Sequence, residues 1–213
     1  MMNAEGVKGM AERMTLQTAI DALYETAVAR EATTSTLRLR PLAEYCVQEL
    51  DVRGLKGAQT EVPVPGGGRE KSWDVAWCFH DKYRLAISLK SILKNLPGTV
   101  PNRLDDMIGE VANAQMHSPE IVLGYLMVFD TSQDVLSPKH GVTWCELLKR
   151  RLASLTGRRA PSWGFGTIEG TAVVEVDFSA GALVKTPEAA VAAMFDGLVK
   201  QVRDRNPSLG KAP

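Results

Sequence analysis

Three short stretches place polar side chains where an apolar core would be expected. WDVAW, Trp73 to Trp77, encloses Asp74 between aromatic residues, and burying a carboxylate there is costly unless a partner or a metal neutralises it. RLAISLKSI, Arg84 to Ile92, runs as an apolar strand until it presents Ser88 and Lys90, two residues apart. NRLDDMIGE, Asn102 to Glu110, carries Asp105, Asp106 and Glu110. A carboxylate near a lysine and a hydroxyl admits two uses. One is structural, an Asp74 to Lys90 ion pair or an Asp74 to Ser88 hydrogen bond. The other is chemical, a carboxylate that holds Mg²⁺ beside a lysine that positions a hydrolytic water.

Strand geometry brings these residues together. A β-hairpin turn centred near Asp81 sets Asp74 opposite Ser88. Side chains alternate with a period of two, so Ser88 and Lys90 share one face, and opposed residues in an antiparallel pair share a face as well. On the following helix, Leu104, Ile108 and Val111 are expected to face the core, which puts Asp106 and Glu110 together on another face, each able to reach back toward Asp74. Asp105 lies about 100° further round the helix and is the third choice. The bland alternative for these acids is a solvated helix face with favourable charges near its N-terminus.

WDVAW, a short hairpin, ISLKS, a helix opening NRLDDMIGE and then a buried strand, in that order, resemble the core of the PD-(D/E)XK nucleases, a superfamily that includes many type II restriction endonucleases. The resemblance covers roughly Leu42 to Asp130. It implies an αβββαβ core in which Asp74 stands at the first acid, preceded by Trp73 where the family has proline, and Lys90 stands at the motif lysine. Ser88 occupies the place of the second acid. A branch of these enzymes with Ser or Thr there recruits a carboxylate from the following helix, here Asp106 or Glu110. The resemblance further implies a catalytic set of Asp74, Ser88, Lys90, Asp106 and Glu110. Its metal ligands would be Asp74 with Asp106 or Glu110, its cofactor Mg²⁺ with Mn²⁺ as substitute, its substrate double-stranded DNA and its assembly a homodimer.

Other candidates are weaker. Lys94, Asn102 and Arg103 offer donors suited to phosphate. LKRRLASLTGRR gathers Lys149, Arg150, Arg151, Arg158 and Arg159, a density that could follow a nucleic-acid backbone or form a solvated helix face. In SWGFG, Trp163 and Phe165 stand among glycines and suit either base stacking or aromatic cover over a core. Glu44, Glu49 and Glu61 lie where some PD-(D/E)XK relatives carry an accessory acid, with surface placement the commoner use. His80 belongs to the hairpin tip. His117 and His140 lack HxH or HExxH spacing, which argues against a zinc hydrolase.

The elements that must hold these residues follow from periodicity. Thr15 to Arg30 and Leu37 to Leu50 are expected helices, the first capped by Thr15. Gln59–Val64, Ser72–Phe79 and Lys82–Ser91 are expected strands, with PGGGR, Pro65 to Arg69, a turn. A helix is expected over Asn102–Met116 with Pro101 in its first turn, then a strand over Ile121–Phe129 buried on both faces. Thr143–Leu155, Thr171–Phe178 and Pro187–Val202 complete a helix, strand and helix. This order predicts an α/β fold, a mixed central sheet flanked by helices. The expected division is a lead-in over 1–14, a helical layer over 15–50, the core over 59–130 and an αβα extension over 143–205, all in one domain.

Composition narrows the class. The 213 residues are 45% hydrophobic and 23% charged, the profile of a folded globular protein. Lys plus Arg and Asp plus Glu are both 25, so net charge argues neither for nor against nucleic acid. Three widely spaced cysteines suit reduced thiols in the cytoplasm. No apolar run reaches the roughly 18 residues that span a bilayer. Two alternatives to a nuclease stay open, a non-catalytic nucleic-acid-binding domain of the same fold and a protein-assembly subunit whose Asp74 to Lys90 pair is only structural.

Overall fold

The hairpin that must set Asp74 against Ser88 turns without glycine. In the computed structural model, which describes residues 13–29, 36–161 and 163–209, His80 and Asp81 both adopt positive φ, 50° and 57°. That is the type I′ pattern, whose twist matches the flanking strands. These strands are β2 (Lys71–Phe79) and β3 (Lys82–Ile92). The turn is centred between His80 and Asp81, half a residue before the expected centre, and Phe79 pairs with Lys82. Alone, that would put Asp74 one residue out of step with Ser88. A bulge between Trp77 and Cys78, which pair with Leu85 and Tyr83, restores the register, and Val75 faces Ile87.

Order along the chain is α1 (Leu16–Tyr24), α2 (Arg40–Val52), β1 (Gln59–Val64), β2, β3, α3 (Leu96–His117) and β4 (Val122–Asp130). A two-strand ribbon follows, β5 (Leu136–Ser137) with β6 (Val142–Thr143), then α4 (Trp144–Leu155), β7 (Gly170–Asp177), β8 (Leu183–Val184) and α5 (Glu188–Arg205). The main sheet runs β1-β2-β3-β4-β7-β8, with parallel pairing of β3 to β4 and β4 to β7 and antiparallel pairing elsewhere. It is a mixed sheet flanked by helices, and α2-β1-β2-β3-α3-β4 is the expected αβββαβ order. The ribbon and β8 are too short for periodicity to reveal.

Apolar side chains cover both faces of the sheet. Leu85, Ile87 and Leu89 of β3 pack with α1, α2 and α5, whereas Ala86 and Ile92 pack with α3 and α4. All nine residues of β4 are buried, as its continuous hydrophobicity predicts. Thr15 and Thr143 cap α1 and α4 as expected, their hydroxyls accepting from the backbone N–H of Thr18 and Glu146. A π-helical turn, Glu25–Ala29, follows α1, and Arg30 lies outside the described residues.

The start of α3 corrects the sequence reading. Pro97 occupies the first turn, and Pro101 lies inside the helix. Asn95, with φ of 50°, turns the chain so that the amides of Gly98 and Thr99 bond to its carbonyl at 3.1 and 2.8 Å. The helix therefore starts before the second proline, which lacks the N–H for its own helical bond. Ile108 is partly exposed rather than in the core.

Candidate functional site

Beyond Ile87, β3 leaves β2 and continues beside β4 alone, and Asp74 fills the fork. Its Oδ2 accepts from the backbone N–H of Leu89 at 2.7 Å and from the Ser88 hydroxyl at 3.2 Å. The carboxylate thus satisfies an amide that the diverging strand would leave unpaired. Parallel register puts Tyr125 of β4 beside Ser88. Glu110 comes down from α3 onto the same spot, its Oε2 accepting from Tyr125 and lying 3.4 Å from Ser88 Oγ. Its other oxygen, Oε1, pairs with Lys71 Nζ and lies 3.5 Å from Lys90 Nζ. Lys90 also lies over the Tyr125 ring, 5.9 Å from its centroid.

Asp74, Ser88, Lys90 and Glu110 are thus together. Asp106 is not with them. It sits about half exposed, paired with Arg103 at 2.9 Å, and shares a surface groove with Asp105, Arg69, Lys71, Glu110 and Asn113.

Charge is shared unevenly. Burial pushes the Asp74 carboxyl above its ordinary value and the Glu110 charge adds to this, although the Leu89 amide, Lys90 and Ser88 pull it back. Burial acts on Glu110 in the same direction, but Lys90, Lys71 and Tyr125 outweigh it and hold its carboxyl below the usual value. Tyr125 is raised, first by burial and then by the Glu110 charge, so its hydroxyl stays protonated and donates.

The donor chemistry suits a hard cation. Asp74 Oδ2 and Glu110 Oε2 both lie within 3.4 Å of the same Ser88 oxygen. Mg²⁺ takes one or two carboxylates and completes its shell with water, so these oxygens fit it. Among the described residues no group of three or more His, Cys, Asp and Glu side chains is placed to hold a metal. Asp74 and Glu110, with the Ser88 hydroxyl between them, are the groups that would hold it.

Tyr125 and Lys71 escape the sequence reading. Tyr125 lies within an unbroken apolar strand, and a parallel register across an intervening helix leaves no local signal. For Lys71 strict alternation points the wrong way, because Val75 and Trp77 pack toward α1, α2 and α5. The reversal falls opposite Glu61 of β1. Glu61 has φ of 53°, and the pairs Thr60 to Val75 and Val62 to Trp73 bracket it opposite Asp74. At that kink the facing changes, so that Trp73 joins the α3 side, 6.4 Å from the Tyr125 ring, and Lys71 reaches Glu110.

The remaining candidates spread out. Glu61 accepts from Ser72 at 3.4 Å, and Glu44 pairs with Arg40 on the surface. Glu49 is buried, against the surface placement expected, because Arg53 at 2.7 Å and Arg13 neutralise it. The basic run divides. Lys149 pairs with Glu175 and Arg150 with Glu146, Arg151 lines an apolar groove between α3 and α4, and Arg158 is buried on Glu169 at 3.1 Å. Trp163 covers Arg158 and Arg205, with guanidinium carbons 5.2 and 4.6 Å from its ring, and Phe165 is exposed. Asn102 is exposed on α3, and the carbonyl of Lys94 accepts from the Thr99 hydroxyl at 3.0 Å.

No family model matches the chain, and no curated protein matches it. Among solved structures the chain is similar to the small subunit of a heterodimeric restriction endonuclease. The TM-score is 0.39 and the identity 9%, with 92% of this chain and 98% of that chain covered. Among the described residues no helix is long and apolar enough to cross a membrane.

Proposed function

We propose that the chain is a Mg²⁺-dependent DNA endonuclease of the restriction or phage-defence type that acts in the cytoplasm as a homodimer and accepts Mn²⁺ as substitute. The observation that carries this is the meeting of Asp74, Ser88, Glu110 and Lys90 where β3 forks from β2. Asp74 and Glu110 would hold the metal, with the Ser88 hydroxyl between them. Bound there, Mg²⁺ would offset charge developing on the scissile phosphate and acidify a water. Lys90 would orient that water and contact the phosphate, and Tyr125 would hold Glu110 in the rotamer that faces Asp74. Glu110, rather than Asp106, would replace the acid missing at Ser88, because Asp106 is engaged by Arg103.

Supercoiled plasmid with Mg²⁺ or Mn²⁺ tests the proposal. Nicking by the intact protein and its loss, by about 100-fold or more, in Asp74→Ala, Glu110→Ala and Lys90→Ala is the expected result. Asp106→Ala should stay within a few-fold of the parent. DNA binding with metal present and no nicking would instead favour a non-catalytic nucleic-acid-binding domain. One observation favours that second reading, namely that two lysines already answer the Glu110 charge.

A further inference from the structure

We propose that Lys71 is a built-in counter-ion of Glu110, which a divalent cation must displace, and that the displaced ammonium then contacts a phosphate of the nucleic acid. The inference rests on the metal-site reading of Asp74, Ser88 and Glu110 given above.

Formal charge leads to it. Asp74 and Glu110 supply two negative charges, and Lys71 and Lys90 supply two positive ones, so the cluster is neutral as it stands. A divalent ion between the carboxylates adds two positive charges within reach of both ammoniums, and like charges at such distances repel strongly away from bulk water. One lysine has to move. Lys90 is the more enclosed, with its side chain 19% exposed against 29% for Lys71, and its ammonium lies over the Tyr125 ring. Lys71 begins its strand next to the glycine turn and can swing outward.

The turn limits where it can go. Asn113 of α3 holds the glycine run through four hydrogen bonds. Its carbonyl accepts from the Gly67 amide at 2.8 Å, its Oδ1 from the amides of Gly68 and Arg69 at 2.9 and 3.3 Å, and its Nδ2 donates to the Arg69 carbonyl at 2.8 Å. The Lys71 backbone is anchored two residues beyond this clamp, so only its flexible stem moves. Lys71 already lines a groove with Arg69, Asp105, Asp106, Glu110 and Asn113, and its ammonium would move within that groove away from Glu110. An ammonium released there would share the groove with Arg69, and together the two would present donors that suit one phosphate.

Calorimetric titration of the full chain with Mn²⁺ alone, comparing the parent with Lys71→Met and Lys71→Arg, tests the displacement. Removing the competing charge should tighten Mn²⁺ binding by roughly tenfold in Lys71→Met, while Lys71→Arg stays near the parent. A misfolded variant would bind more weakly, so the expected gain cannot arise from damage. Unchanged or weaker Mn²⁺ affinity in Lys71→Met overturns the counter-ion role but leaves the metal site standing. Absence of Mn²⁺ binding in every protein overturns the metal site and this inference together. In the second arm, anisotropy of a labelled DNA duplex should show Lys71→Met binding severalfold more weakly, with a salt dependence shallower by about one phosphate contact. Duplex affinity equal to the parent's overturns the phosphate role.

Discussion

Asp74 and Glu110 lie against one hydroxyl yet are driven in opposite directions, and the difference sets the pH behaviour of the metal-free protein. Asp74 has a folded-state value above its ordinary one, chiefly through burial. Its contribution to stability is full below the ordinary aspartate range and is lost as pH rises through the raised value. Glu110 lies below its ordinary value despite burial, because Lys90, Lys71 and Tyr125 favour its charged form. It contributes above the ordinary glutamate range and loses that contribution as pH falls through the lowered value. Asp74→Asn, which can still accept from the Leu89 amide, should therefore raise the melting temperature at pH 7 to 8, with the gain shrinking on acidification. Glu110→Gln should lower it over the same range. Thermal unfolding followed across pH without divalent ions measures both, and equal signs for the two variants would refute this charge assignment. At neutral pH Asp74 therefore weakens the fold, whereas Glu110 strengthens it.

At the scale of elements, close approach of α5 to the sheet depends on a missing side chain. Gly124 of β4 faces α5, and a Cβ built there would stand 2.7 Å from Leu198 Cδ1 and 3.4 Å from Ile87 Cγ1. Gly124→Val is expected to cost about 1–3 kcal/mol through overpacking. Leu198→Ala alone should cost about 2–5 kcal/mol through the cavity it leaves. Because the two changes meet at one contact, the double variant should be more stable than the separate costs predict. Denaturant unfolding of the two single variants and the double variant measures this coupling, and strict additivity would show that Leu198 does not limit the approach. The helix matters to the site because it presses the sheet from the face opposite α3, and β4 positions Tyr125.

Across the whole molecule, one carboxylate ties distant segments together. The Glu169 side chain, fully buried, pairs with Arg158 at 3.1 Å and Arg205 at 2.7 Å, and its other oxygen accepts from the Leu123 amide at 2.7 Å. Arg158 also donates to the Pro119 carbonyl and Arg205 to that of Ile121, so the end of α5, the entry to β4 and the α4–β7 connection meet at this point. Two guanidiniums with one carboxylate leave a surplus positive charge that Trp163 covers with its ring. Glu169→Gln keeps the shape and removes the charge. It should cost about 3–5 kcal/mol, the penalty of leaving buried cations unpaired. An unfolding midpoint equal to the parent's would show that the carbonyl and ring contacts suffice without Glu169.

Local pattern determined much of this protein. Alternating and continuous apolar runs specified β1 to β4, β7 and the helices, because solvent exposure repeats with the period of each element. The grouping of Asp74 and Ser88 was legible from a hairpin and strand alternation, although the turn lies half a residue from the expected centre and a bulge between Trp77 and Cys78 restores the register. Of the two helix carboxylates legible in the sequence, packing of α3 brings Glu110 to Ser88 and leaves Asp106 half exposed on Arg103. Tyr125 and Lys71 were beyond reach. The first depends on a parallel register between strands separated by a helix, which no neighbouring residue encodes. The second depends on a reversal of facing in β2 opposite Glu61, which strand alternation does not encode. Sequence decides what each segment can present to its own surroundings, whereas only the packed sheet decides which segments those surroundings contain.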